Sequence, residues 1–249
     1  MSESFRNIWT VTKRELSGLF ASPVAYVFLV IFLLLLGFLT FSLGGFFERG
    51  QASLSESFFY WHPWVYLLLV PAVGMRLWAE ERRQNTLELL LTMPIAPWHA
   101  IVGKFLASWL FLALALFLTF PIVITVGRLG SPDYGAIISA YIGSILLAGS
   151  FLAVTELTSA MTRNQIISFI LALVVCFGLI LCGFEPVTNL IQDGLGDGFV
   201  GFLRGLSTWY HFDAFKRGVV DFRDLLYFGS VMGFCLFTTS VVLRGVRGA

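Results

Sequence analysis

Charge is scarce in this chain. Asp, Glu, Lys and Arg make up 12% of its 249 residues, about half the roughly 25% that an ordinary soluble domain carries. With 57% hydrophobic residues and a mean hydropathy of +0.85, it has too little polar surface to coat a globule in water. Disorder and collagen-like repeats are excluded on the same ground. Only three cysteines occur, Cys176, Cys182 and Cys235, all inside apolar runs, where a lone thiol acts as a small hydrophobe and no disulfide framework is indicated. The three histidines, His62, His99 and His211, are scattered, so a zinc site is not expected. Net charge is +1, which argues against a nucleic-acid partner. No phosphate-binding loop is present: Gly103–Lys104 lacks both the earlier glycine and the following hydroxyl residue. Neither H-E-x-x-H, G-x-S-x-G nor a pair of embedded aspartates occurs, so an enzyme has no site and no metal or cofactor is expected in this chain. What remains is an integral membrane protein.

Six stretches lack Asp, Glu, Lys and Arg: Val24–Phe47, Phe58–Met75, Phe105–Gly127, Gly135–Thr155, Ile166–Phe184 and Leu225–Leu243. Crossing the hydrocarbon core takes about 20 helical residues, and helices satisfy every backbone group within the segment. With their flanks these predict spans at about 24–47, 58–78, 105–127, 135–160, 165–184 and 225–243 of one all-α transmembrane domain, 1–249. Six spans consume most of the chain, so no separate soluble catalytic domain is expected within it. Pro63 and Pro71 in the second stretch and Pro121 in the third predict kinks or late starts. The first stretch is too long for a signal peptide and reads as a retained span.

Orientation follows the basic residues. Ten fall on one side: Arg6, Lys13, Arg14, Arg76, Arg82, Arg83, Lys104, Arg163, Arg244 and Arg247. Six fall on the other, four of them (Arg204, Lys216, Arg217, Arg223) in the long loop 185–224, which weighs less and also carries acids. Both termini are therefore expected to be cytoplasmic.

Three segments are not spans. Ser4–Phe20 places Phe5, Ile8, Trp9, Thr12, Leu16, Leu19 and Phe20 at helical spacing, with Lys13 and Arg14 among the charges between them. This predicts an amphipathic interfacial helix touching membrane lipid, although an ordinary juxtamembrane helix has the same pattern. The loop 79–104 runs Glu80–Glu81–Arg82–Arg83, then Thr86–Leu87–Glu88–Leu89–Leu90–Leu91 to Met93–Pro94. Thr86 can cap a short helix that Pro94 stops. So short and leucine-rich a helix either lies on its own bundle or docks into a partner's groove. The segment 185–224 mixes glycine with aromatics and charge, which suits interfacial or partly re-entrant helices at the outer leaflet.

One carboxylate, Glu156, intrudes near the end of the fourth span, and such a group is a functional candidate by default. Arg76 ends the second span at similar depth. A Glu156–Arg76 pair, snorkelling to water, and proton or ion coupling are the three readings. Gly229–Ser230–Val231–Met232–Gly233 is a small-xxx-small pattern suited to close helix packing.

The second loop carries a resemblance. Ala79-Glu-Glu-Arg-Arg-Gln-Asn-Thr-Leu-Glu-Leu-Leu-Leu-Thr-Met-Pro-Ile-Ala-Pro97, followed by Gly103–Lys104, resembles the signature E-x-E-R-x-x-G-T-L-E-x-L-L-x-x-P of type-2 ABC transporter permeases. Ser159-Ala-Met-Thr-Arg-Asn-Gln165 is similar to that family's S-x-x-T-R-N-Q turn. His211-Phe-Asp-Ala-Phe-Lys-Arg-Gly-Val-Val-Asp-Phe-Arg-Asp224, with His211, Phe212, Arg217, Asp221 and Asp224 at the motif positions, resembles the gliding-motility-associated branch. Asn85 stands where the family has glycine, and asparagine also tolerates a left-handed turn. Glu156 stands where the branch is apolar.

The resemblance implies a type-2 exporter permease that pairs with a second permease copy, or a similar chain, and with two nucleotide-binding ATPase subunits. An envelope accessory protein is a further partner. ATP and Mg²⁺ would reside on the ATPase subunit, and the bacterial inner membrane would be the location. Ser4–Phe20 becomes a connecting helix and Leu87–Met93 a coupling helix. Glu80, Glu81, Arg82, Thr86, Leu87, Glu88, Leu90, Leu91 and Met93 would contact the ATPase subunit. Two rivals stand beside this reading: a secondary transporter coupling Glu156 to an ion gradient, and a structural membrane scaffold.

Overall fold

A computed structural model describes residues 3–48, 53–86, 96–189 and 197–247 of the chain. The described residues are helical or in turns. Helix α1 is Glu3–Ala21 and α2 is Pro23–Phe38. Ser22 separates them, its hydroxyl accepting from the Val24 amide at 3.3 Å with Pro23 as the first helical residue, a placement that costs no hydrogen bond. Beyond α2 a wide π turn, Leu39–Leu43, ends the helix, short of the expected Phe47. Helix α3 is His62–Gly74, entered through a 3₁₀ turn at Phe59–Trp61. Pro63 sits in its first turn, the late start expected of it. A short α4, Ala79–Arg83, follows the turn 75–78.

Helix α5 is Pro97–Phe117 and α6 is Pro121–Leu129. Proline cannot donate to the preceding turn, and the break at 118–120 falls immediately before Pro121. The third charge-free stretch is thus two helices, and the first begins at Pro97 rather than Phe105. Helix α7 is Tyr134–Met161, α8 Gln165–Leu181, α9 Asp197–Leu206, α10 Thr208–Lys216 and α11 Phe222–Arg247. Among the described residues four apolar stretches are long enough to cross a membrane: Pro23–Leu43, Pro97–Leu129, Tyr134–Met161 and Phe222–Gly245. The architecture is that of an integral membrane protein.

Helix α7 is the axis. Asp133 caps it, accepting from the amides of Gly135 and Ala136, and α3, α5, α8, α10 and α11 all pack against it. Six of its small residues, Gly143, Ser144, Ala148, Gly149, Ser150 and Ala153, are buried. In lipid, where apolar attraction between helices is weak, such residues permit the close approach that supplies packing energy. Two of its hydroxyls bond back one turn, Ser144 to the Ala140 carbonyl at 2.8 Å and Thr155 to that of Phe151 at 2.7 Å, while the buried hydroxyls of Ser139 and Ser150 have no hydrogen-bond partner among the described residues.

The bundle has two ends. At the α1 end, residues 3–21, 75–86, 97–104 and 156–165 come together. At the α10 end, residues 55–60 meet 183–184 and 204–217. Helix α1 lies along the start of α5, where Thr12 donates to the Gly103 carbonyl at 3.2 Å. A Cβ on Gly103 would come within 2.7 Å of the Val11 side chain, so this approach requires glycine. Phe5 and Trp9 stay about half exposed, at 53% each, and Lys13 and Arg14 are exposed as well. The amphipathic helix therefore keeps an aromatic edge outside its own chain.

Candidate functional site

Past Gly74 the chain must leave α3, and its backbone groups need new partners. Ser159, two residues from the end of α7, provides them. Its hydroxyl donates to the Met75 carbonyl at 2.9 Å and accepts from the amides of Trp78 and Ala79, both at 3.0 Å. Arg82, on α4, donates to the Ala160 carbonyl, one of the last carbonyls of α7 that otherwise lack a helical partner. The Trp78 indole is fully buried and its Nε1–H donates to Glu156 Oε1 at 2.9 Å. The turn 75–83, here called the elbow, is thus fastened to the end of α7 by five hydrogen bonds.

A buried lysine fastens the same elbow to α1 and α5. Lys104 Nζ lies 2.9 Å from Glu81 and 3.4 Å from Glu15, and 5.3 Å from the centroid of the Trp78 ring. A cation over an indole face is favourable in a desolvated setting. Partial burial raises the pKa of Glu15, but Lys104 and Arg14 outweigh it and hold that carboxyl below its ordinary range. Trp78 therefore stands between a buried cation on its face and a buried carboxylate at its edge.

The expected Glu156–Arg76 pair does not form. Arg76 is exposed on the turn, whereas Glu156 is fully buried and bonds Trp78, two residues further on. Glu156 does not reach water by snorkelling either. Its second oxygen, Oε2, has no hydrogen-bond partner among the described residues. Of the charged residues expected to face an ATPase subunit, Glu81 and Arg82 are occupied within the chain, and among the described residues Glu80 takes only the Gln84 amide at 3.2 Å. Asn85 is left-handed, φ 56°, as its stand-in for glycine requires. Thr86 donates to the Glu81 carbonyl at 3.4 Å. Leu87, Glu88, Leu90, Leu91 and Met93 lie outside the described residues. Trp78, Lys104 and Ser159 were not singled out by sequence, although Lys104 and Ser159 stand in the quoted motifs.

The outer-segment motif builds a clasp. His211 Nδ1 is 2.6 Å from Asp224, Nε2 is 3.2 Å from the Gly205 carbonyl, and the ring stacks on Tyr227 at 4.0 Å. Phe212 is buried. Asp221 accepts from the Arg223 amide at 3.1 Å and starts α11. Arg217 pairs with Asp213 at 3.0 Å. Lys216 is buried, 2.9 Å from Asp213 and 3.6 Å from Glu56, and faces the rings of Tyr60 and Trp209. Among the described residues no cluster of His, Cys, Asp and Glu could hold a metal ion.

A helical membrane bundle with a loop anchored on one end defines a class, and comparison gives the family. Residues 65–193 match the family described as ABC-2 family transporter protein, a stretch of just over half of the 249 residues. The chain belongs to that family: it is the permease component of an ABC transporter, the membrane part that works with ATPase subunits. A search of curated proteins finds no match.

Proposed function

We propose that this chain is the permease of a type-2 ABC exporter, acting as a dimer with a second copy and with two separate ATPase subunits that carry ATP and Mg²⁺. Among the described residues six passes run between the two ends of the bundle when α5 and α6 are taken as one and α3 and α8 are counted. Helix α3 leads from the Lys216 neighbourhood to the elbow, and α8 leads back from Asn164 to Phe184, whose ring meets Trp209 at 5.5 Å. Both termini then lie at the α1 end, which faces the cytoplasm by its basic residues, in a bacterial inner membrane. The stretch 211–224 favours the gliding-motility-associated branch. Among the described residues no side chain comes close to Gly229 or Gly233, which leaves that face of α11 to lipid or the second copy.

The observation that carries the reading is the fastening of the elbow. Leu87–Met93, which in this reading enters a groove on the ATPase subunit, follows directly after residues tied to α7 by Ser159, Arg82 and Trp78, and to α5 and α1 by Lys104. A displacement of that segment is passed to the axial helix and not absorbed by a loose loop. Rocking between two arrangements then follows ATP-driven closure, whether the output is export of a cargo or a mechanical signal to an envelope accessory protein.

The test is purification of the tagged chain from its native membrane with ATPase activity assayed. Wild type should bring down an ATPase. Leu90→Asp should lose it, and Ser159→Ala should keep the ATPase but lose the transported or mechanical output. Co-purification unaffected by Leu90→Asp would sink the coupling-helix assignment.

The unpartnered Oε2 of Glu156 favours one second reading, an ion-coupled transporter. It predicts activity without ATP and loss of that activity in Glu156→Gln.

A further inference from the structure

At the α1 end a groove of about 370 Å³ opens between α1, α2, α3, α4 and α5, a size within the usual range for a small-ligand site. Its floor is apolar, with Phe28, Val73 and Phe111, and its rim is charged. Two of the rim carboxylates, Glu15 and Glu81, are taken by Lys104. That leaves one cation and one anion. Among the described residues Arg76 forms no ion pair, and Glu80 is met only by the Gln84 amide. They stand four residues apart on the same rim.

The groove lies where the membrane boundary must run. Helix α1 is amphipathic, and the apolar run of α2 begins at Val24, itself on the groove wall. A ligand here must carry an anion for Arg76, a cation for Glu80 and a long apolar part for the floor. We propose that the groove binds an aminophospholipid from the leaflet facing α1. Its phosphodiester sits on Arg76, its primary ammonium on Glu80 and one acyl chain along Phe28, Val73 and Phe111. Basic pockets between membrane helices ordinarily select anionic lipids. This one selects against them, because a headgroup without an ammonium leaves Glu80 facing the phosphate. The bound lipid touches both α1 and the elbow and so bridges the same two parts that Lys104, on the wall of this groove, joins. This assignment stands independently of any ATPase partner.

The experiment is native mass spectrometry of the full chain in detergent, offered equal amounts of phosphatidylethanolamine and phosphatidylglycerol. The ethanolamine lipid should be retained about tenfold more, the value of one charge-assisted contact. Glu80→Gln should bring the ratio near one, and Arg76→Gln should weaken both lipids, with Arg76→Lys restoring retention. Free phosphoethanolamine, which lacks acyl chains, should not compete. Equal retention of the two lipids by wild type means annular lipid only and overturns the site. A ratio unchanged in Glu80→Gln overturns it too, as does effective competition by phosphoethanolamine. Should Arg76→Gln not fold, Val73→Trp, which fills the floor, must abolish the selective adduct.

Discussion

The two ends of the bundle each bury a lysine against indole and carboxylates, yet the two junctions differ in what they join. Lys104 collects Glu15 from α1, Trp78 and Glu81 from the elbow, and itself belongs to α5. Lys216 takes Asp213 from its own helix three residues back, and its distant partner, Glu56, is 59% exposed at 3.6 Å. The first therefore ties together three elements distant in sequence through largely shielded contacts. The second finishes a helix whose outer ion pair water largely screens. Similar chemistry joins three elements at one end and mainly secures one helix at the other, and sequence separation decides which.

The largest effect should come from Lys104→Met. Removing one member of a buried ion cluster strands the others, and because Glu15 and Glu81 keep some contact with water the cost should be about 3 kcal/mol, the low end for such changes. Unfolding in detergent with added denaturant measures it. A double-mutant cycle with Glu81→Gln should give a coupling of about 2 kcal/mol, against less than about 0.5 kcal/mol for Lys216 with Glu56. Equal couplings would erase the distinction between the two ends.

Next comes Trp78→Phe, which takes the N–H from Glu156 and should cost about 1–3 kcal/mol for a buried carboxyl oxygen left with no donor. Adding Glu156→Leu should recover much of that loss, since removing both partners spares the desolvation penalty. No recovery would mean that Trp78 acts through packing alone.

Among the described residues the charge-free runs in the sequence located the four helices long and apolar enough to cross a membrane, amphipathic spacing located α1, and Ser22–Pro23, Pro121 and Asn85 each did locally what their residue types dictate. The junctions were not legible. Lys104 meets partners at positions 15, 78 and 81, a coincidence only the tertiary path creates. Glu156 invited an arginine by charge, but residues 75–78 form a turn, so helical spacing no longer says which side chain faces α7. Arg76 points outward there and Trp78 inward. The motif residues Gly103 and Ser159 were visible as letters, while their reason, close approach for one and three hydrogen bonds for the other, needed the neighbours.

Of smaller size, Gly103→Ala should cost about 1–2 kcal/mol by driving a methyl into Val11, and the loss should shrink in the Gly103→Ala/Val11→Ala double variant. Lys216→Met should cost less, about 1 kcal/mol or under, because its outer partner is solvated. Thermal unfolding midpoints rank the two. The smallest effect is a dependence on pH. Glu15 is held below its ordinary value of 4.5, with burial opposing and Lys104 and Arg14 prevailing. Its contribution is therefore complete above that value and is lost as pH falls through the folded pKa. The difference in midpoint between wild type and Glu15→Gln should disappear on acidification, and one that persisted in acid would contradict the assignment.

Ser159 uses everything a hydroxyl has, one donated and two accepted hydrogen bonds. Replacing it by alanine frees the Met75 carbonyl and the amides of Trp78 and Ala79 together and leaves the elbow on the bundle through Arg82, the Trp78 indole and Lys104. One small side chain is therefore a shared node, and its loss is felt at three backbone positions rather than at one.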